Sequence, residues 1–416
     1  VTLLLAAGPW AHAQQLADAQ AKLKKITGPW LWMIAPAGAG QGGQASTDID
    51  MLDKASGGKV TEAMVAKNGA KEGDAVGQFK WTLSEIAEVG GDNVNPVANK
   101  LGAAGNVEDH SSYALITLTA DKDQPGVLAT VGSDDSIKVW LNGEMIWKNA
   151  VNRAAGNFQD LFPASVKKGD NLLLVKVGER GGGWSMFVGI DADFKAAGKN
   201  YKSENLGAPP EICFETPKDK IEGPWLWMVA PTLPGQGGRD STNVDSLSEA
   251  SNGKVTESQI AKEGPKEGST VGKYKWAALK IPPTGGDNIN PIANTIGAPG
   301  NVEDHSAYAW INVVSGSDQK VCMAVGSDDS VKVWLNGKVI WANPVNRGAG
   351  DFQDRYVVNL KKGNNSLLVK VSERGGGWSM FVGLDAKGLE YNLKQVQLSV
   401  DPRGKLTTTW GGVKGN

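Results

Sequence analysis

From Ser136 to Leu141 the chain alternates between apolar and polar positions. Ile137, Val139 and Leu141 fall on one face of a strand and Ser136, Lys138 and Trp140 on the other. Asn142-Gly143 supplies the two positive-φ residues of a type I′ turn, and Met145, Ile146 and Trp147 continue as the returning strand. A two-residue turn predicts Val139 opposite Ile146 on the core face. On the other face it predicts Trp140 opposite Met145 and Lys138 opposite Trp147. Short runs bounded by turn residues predict further strands near 30–35, 78–83, 113–119, 127–131, 158–166, 172–177 and 184–190. Eight or nine strands at this spacing predict an all-β, jelly-roll-like sandwich. The pattern lapses between Ser46 and Gly77. There Thr61-Glu-Ala-Met predicts a short helix, and its later counterpart Thr256-Glu-Ser-Gln a capping box, in a polar excursion laid on the sandwich.

The chain writes this pattern twice. Val131–Gly143 returns as Val325–Gly337 with only Ile137 changed, to Val331. Gly28–Pro36 returns as Gly223–Pro231 at an offset of 195, which becomes 194 after one residue is lost between Ser111 and Val131. A repeat of roughly 165 residues is a duplicated domain and not a solenoid unit. The expected organisation is a signal-peptide remnant at 1–13, a short helix or linker at 14–27, sandwich domains at 28–194 and 223–389, a Gly/Pro-containing linker at 195–222 and a tail at 390–416.

Length agrees with two domains: 416 residues exceed one sandwich. A net charge of −2 argues against a nucleic-acid surface. The short apolar run Val1–Ala7 and Ala11-His-Ala13 read as the end of a signal peptide, so a secreted, periplasmic or cell-surface location is expected. No segment has the length and apolarity of a transmembrane helix. Cys213 and Cys322 are the only cysteines, and either a bridge in an oxidising compartment or two free thiols fits them.

Several motifs carry candidate chemistry. Gly38-Ala-Gly-Gln-Gly-Gly43 has the letters of a dinucleotide loop but no following helix to face a pyrophosphate, so a glycine-rich turn is expected. His110 and His305 stand in Glu-Asp-His-Ser without metal-ligand or nucleophile-elbow spacing, which reads as a loop capped by the Asp. Asp134-Asp135 and Asp328-Asp329 are either turn residues or part of a Ca²⁺ shell, with Asp109, Asn157 or carbonyls completing it. Trp30 and Trp32 share a face with Ile34 and belong to the core. Trp140, Trp147 and Trp184, with Trp334, Trp341 and Trp378, are candidate sugar-stacking platforms beside Lys138 and Lys332; the alternative is that the excursion buries them. No catalytic residue stands out.

Val-Gly-Ser-Asp-Asp-Ser-x-Lys-Val-Trp-Leu-Asn-Gly resembles the Asp-Asp hairpin of protective-antigen-type and galactose-binding-like jelly-roll modules. Lys167–Val177 followed by Gly-Gly-Trp looks like the closing strands of that superfamily, and the tandem layout looks like secreted bacterial proteins built from this module. In its yeast adhesin branch the Asp pair holds Ca²⁺ for sugar binding. The resemblance carries that role onto Asp134-Asp135 and Asp328-Asp329, with Ser136 and Ser330 standing where glycine is usual. The expected function is a non-catalytic carbohydrate-binding protein with two similar, calcium-assisted sites for a glycan or polysaccharide. A structural protein of the bacterial envelope is the alternative, followed by a carbohydrate-active enzyme.

Overall fold

The computed structural model describes residues 11–395 apart from 104, 106, 299 and 301. The signal-peptide reading of 1–13 therefore falls largely outside the described residues, and so does the tail from 396 on. A helix, Ala11–Lys22, opens the described chain.

The fold is all-β with short helices, and both copies are laid out alike. In the first, the large antiparallel sheet runs in the order Glu144–Asn149, Ser136–Leu141, Gly169–Glu179, His110–Ala120. Trp30–Pro36 and Phe194–Ala196 share the far flank of His110–Ala120. Lys199–Tyr201 pairs outside the latter, so this copy continues to Tyr201, past the expected boundary at 194. A small sheet of Ser185–Ile190, Gln124–Asp134 and Asp160–Val166 packs against the large one. The second copy repeats both sheets, from Trp225–Pro231 to Leu389–Asn392.

The large sheet is covered on both faces. Trp30, Trp32, Ile137, Val139, Trp147, Val175 and Trp184 fill the core between the sheets. On the outer face Leu31, Met33, Leu115, Trp140 and Leu174 lie beneath Met51, Leu52, Val65, Ala66 and Trp81 of the 46–81 segment. This double burial explains why Trp30-Leu-Trp-Met-Ile-Ala35 is apolar throughout. Two short helices form the cover, Met51–Ser56 capped by Asp50 and Glu62–Asn68 capped by Thr61, whose side chain accepts from Met64 N–H. Thr256 caps Glu257–Glu263 in the same way.

A bulge between Val139 and Trp140 changes the expected register. Trp140 still faces Met145, but Val139 pairs with Trp147 and Lys138 with Lys148. Trp147 is thereby turned inward, where it stacks on Phe162 with centroids 5.1 Å apart and donates to Asp160 at 3.1 Å.

Lys138 and Lys176 lie opposite one another in adjacent strands. Glu62 sits between them, 2.8 Å from Lys176 Nζ and 3.2 Å from Lys138 Nζ, and accepts from Tyr113 OH at 2.7 Å. Lys176 also donates to the Ser46 carbonyl at 2.7 Å. Glu257, Lys370, Lys332 and Tyr308 repeat the network. Removing Glu62 leaves buried cations without a counter-charge, a change costing about 3–5 kcal/mol in comparable buried pairs. Glu62→Ala is therefore expected to lower stability in urea unfolding by that order. A loss under about 1 kcal/mol would show that the network is not what holds the helical layer.

Candidate functional site

Asp134 ends a strand of the small sheet, Ser136 begins a strand of the large one, and Asp135 lies between them. Glu179 ends the adjacent strand Gly169–Glu179. One carboxylate oxygen from each of Asp134, Asp135 and Glu179 lies within 4.8 Å of the other two, and Asp328, Asp329 and Glu373 form the matching cluster. The Asp134–Asp135 and Asp328–Asp329 peptide bonds are cis.

Asp135 accepts from Arg153 N–H at 3.1 Å and Arg180 N–H at 3.0 Å, and Asp134 accepts from Ala155 N–H at 3.1 Å. The Arg153 guanidinium is directed away, onto Asp160 at 2.8 Å and Ser133 Oγ at 2.8 Å. Glu179 is fully buried, and neither oxygen meets a donor in hydrogen-bonding geometry; the Gly181 amide nearby gives it only partial relief. Burial first, then the charges of Asp135 and Asp134, push its carboxyl up to about 9. Burial and the charge of Asp135 raise Asp134 to about 7. Burial also raises Asp135, against the opposing pull of its two amide donors. Glu373 and Asp328 are likewise raised to about 9 and about 7.

Two glycine loops close over the cluster. A Cβ on Gly43 (φ +53°) would lie 2.9 Å from Asp135 Oδ2 and 2.4 Å from Asn152 Oδ1. One on Gly183 would lie 3.2 Å from Asp134 Oδ2 and 2.8 Å from the Gly91 carbonyl. Chain packed this tightly explains both glycine runs without a phosphate. In the second copy an open cleft of about 520 Å³ adjoins the cluster, lined by Asp287, Asn290, Asn294, Gly376 and Gly377.

The expected platform residues lie elsewhere. Trp140, Trp147 and Trp184 are 6%, 4% and 0% exposed, and Trp334, Trp341 and Trp378 are 3%, 2% and 0%. None offers a face to a sugar. Trp140 is under the helical layer and the other two of its copy are in the inter-sheet core. Lys138 and Lys332 are bound to Glu62 and Glu257. Asp109 accepts from Gly40 and Gly42 N–H at 2.7 and 2.9 Å, so it fixes the glycine loop and is not one of the three clustered carboxylates; this is the capped loop expected around His110. Glu179 and Glu373 were missed by sequence reasoning. The available signal was a carboxylate two residues beyond the strand run Leu172–Val177 and shortly before a glycine triplet.

No family model matches the chain, and no curated protein matches it. Similar solved structures include an anti-sigma factor domain-containing protein from Clostridium clariflavum, 10% identical over 70% of this chain and 82% of that one, with a TM-score of 0.20. The PA14 domain of the MpAFP antifreeze protein is 14% identical over 42% of this chain and 88% of that one, with a TM-score of 0.28. A lectin from Pleurotus ostreatus in complex with GalNAc is 14% identical over 70% and 77%, with a TM-score of 0.17. At TM-scores this low none of them carries an argument about this chain.

Three converging carboxylates held away from water and short of donors suit a hard divalent cation, which takes six to eight oxygens in the case of Ca²⁺. Without a cation, acids raised to about 7 and about 9 favour folding below their unfolded values near 4 and oppose it increasingly as pH rises through the raised values. The melting temperature in chelator is therefore expected to fall between pH 5 and pH 9, with millimolar Ca²⁺ suppressing the fall. Glu179→Gln with Glu373→Gln should flatten its alkaline part. A chelated protein equally stable at both ends of this range would contradict the clustered, water-poor geometry.

Proposed function

We propose that this chain is a secreted, non-catalytic glycan-binding protein in which each copy holds a divalent cation, Ca²⁺ by its ligand chemistry, in the Asp134–Asp135–Glu179 and Asp328–Asp329–Glu373 clusters. The observation that carries this reading is the pair of buried glutamates, Glu179 and Glu373, which face two aspartates with no donor in hydrogen-bonding geometry. A bare carboxylate in that setting costs several kcal/mol, and a cation offsets it. Sugar hydroxyls then complete the cation's shell from the side of the polar cleft at Asp287, Asn290 and Asn294. The resemblance of the Asp-Asp hairpin to protective-antigen-type modules points the same way. The buried tryptophans have no part in it. The Cys213–Cys322 disulfide fits an oxidising compartment, and among the described residues no helix is long and apolar enough to cross a membrane.

A glycan array probed in Ca²⁺ and in chelator tests this reading. Binding is expected in Ca²⁺ alone and should be lost in the double variant Asp135→Asn with Asp329→Asn. Calcium uptake without recognition of any glycan would move the clusters to a purely structural role. Glycan binding that survives chelation would place the sugar elsewhere.

A further inference from the structure

The two clusters are joined by their own capping loops. Arg153 and Ala155, whose amides hold Asp135 and Asp134, lie in the loop between strands Glu144–Asn149 and Asp160–Val166. In the second copy Ala349 N–H donates to Asp328 at 3.1 Å and the Arg347 amide holds Asp329. Arg153 and Arg347 pair with each other across the copies as an isolated antiparallel β-bridge. Each arginine is thus an amide donor to one cluster and a backbone partner of the loop that caps the other. Their side chains are locked as well, Arg153 on Asp160 at 2.8 Å and Arg347 on Asp354 at 2.7 Å, all nearly fully buried.

Arg355 stands where the first copy has Leu161, half-buried and within electrostatic reach of Asp354 and of Asp48 from the first copy. Direct contacts also join the copies. Helix Ala11–Lys22 lies against strand Lys338–Asn343. The linker is tied down along its course. Asp191 accepts from the Glu204, Asn205 and Leu206 amides at 2.6–3.0 Å, Gln15 reaches the Leu206 and Ala208 carbonyls, Val357 N–H bonds to the Glu211 carbonyl, and Cys213 is bridged to Cys322. The copies are not beads on a loose thread.

We infer that the two clusters are one coupled unit, in which a divalent cation entering either raises the affinity of the other. This rests on the cation reading above. A bound cation fixes its carboxylates and the amides on them. The bridge passes that order to the opposite loop, so the second cation finds a cluster that costs less to organise. Repulsion does not cancel the effect, because each divalent charge enters a group of three carboxylates.

Calorimetric titration of the full, chelator-stripped chain with CaCl₂ tests the inference. Two ions per chain with a Hill coefficient above 1 are expected. Asp329→Asn, which alters only the second cluster, should weaken binding at the first by at least about 5-fold, the low end for coupled sites. Asp135→Asn should weaken the second by the same factor, since coupling is reciprocal. Arg355→Leu copies Leu161, leaves both clusters intact, and should lower the Hill coefficient with two ions still bound. First-site affinity unchanged in Asp329→Asn would overturn the coupling and leave the cation reading standing. A wild-type chain that takes up no calcium would overturn both.

Discussion

The helical layer, the outer face of the large sheet and the glycine loop over Asp135 all depend on one buried carboxylate. Strand register sets Lys138 directly opposite Lys176, an arrangement that repels unless something negative lies between. Glu62 does, and as the first residue of its helix, with Thr61 and Asp50 satisfying the backbone around it, it cannot swing away. The same Lys176 ammonium holds the Ser46 carbonyl, and the Ser46 and Ser136 hydroxyls both donate to the Gly43 carbonyl at 2.8 Å. Gly43 in turn lies against Asp135. A line of polar contacts therefore leads from the helix cap to Gly43, whose backbone packs against the carboxylate cluster, through a region otherwise packed with apolar side chains.

The cluster itself lies where the two sheets part. Asp134 is carried by the small sheet and Glu179 by the large one, so their approach records the sheet-to-sheet packing and not the geometry of one loop. That placement leaves the carboxylates short of water and surrounded by glycine backbone. A cation there would bind the two layers to each other, so the candidate site and the stability of the sandwich are one question.

Much of this was legible in the sequence, and the failures have physical causes. Alternation and turn residues gave the hairpin at Asn142-Gly143, and the identity of the repeats gave the second copy. Trp30 and Trp32, on the same face as Ile34, were readable as core. The bulge at Val139 was not, because an extra residue in one strand leaves no mark on local alternation. It moved Trp147 to the inner face. The excursion between Ser46 and Gly77 left Trp140 open to two readings, platform or covered, because the cover has few apolar members; Met51, Leu52, Val65 and Ala66 suffice to bury it. Lys138 was read as a ligand residue beside the tryptophans because its partner, Glu62, is 76 residues away in the chain. Glu179 was overlooked for a similar reason: its meaning lies in two aspartates that only the fold brings within reach.

The segment before each repeat has a consequence for what was inherited when the chain doubled. Lys25 lies 4.2 Å over the Phe187 ring and Ile26 N–H bonds to the Val188 carbonyl; Lys220 lies 4.2 Å over Phe381 and Ile221 N–H bonds to the Val382 carbonyl. In the first copy a helix contributes Leu16 and Ala19, and the residue just past its end, Leu23, joins them to cover Phe158 and Phe187, while in the second an arm through Pro217 and Asp219 passes over Phe352 and Gly383. The ancestral unit thus began upstream of the first recognisable shared motif, with a leading arm that belted the small sheet from outside. The two belts have since diverged, one coiled and the other buckled by a disulfide, and the second now doubles as the strap between the halves.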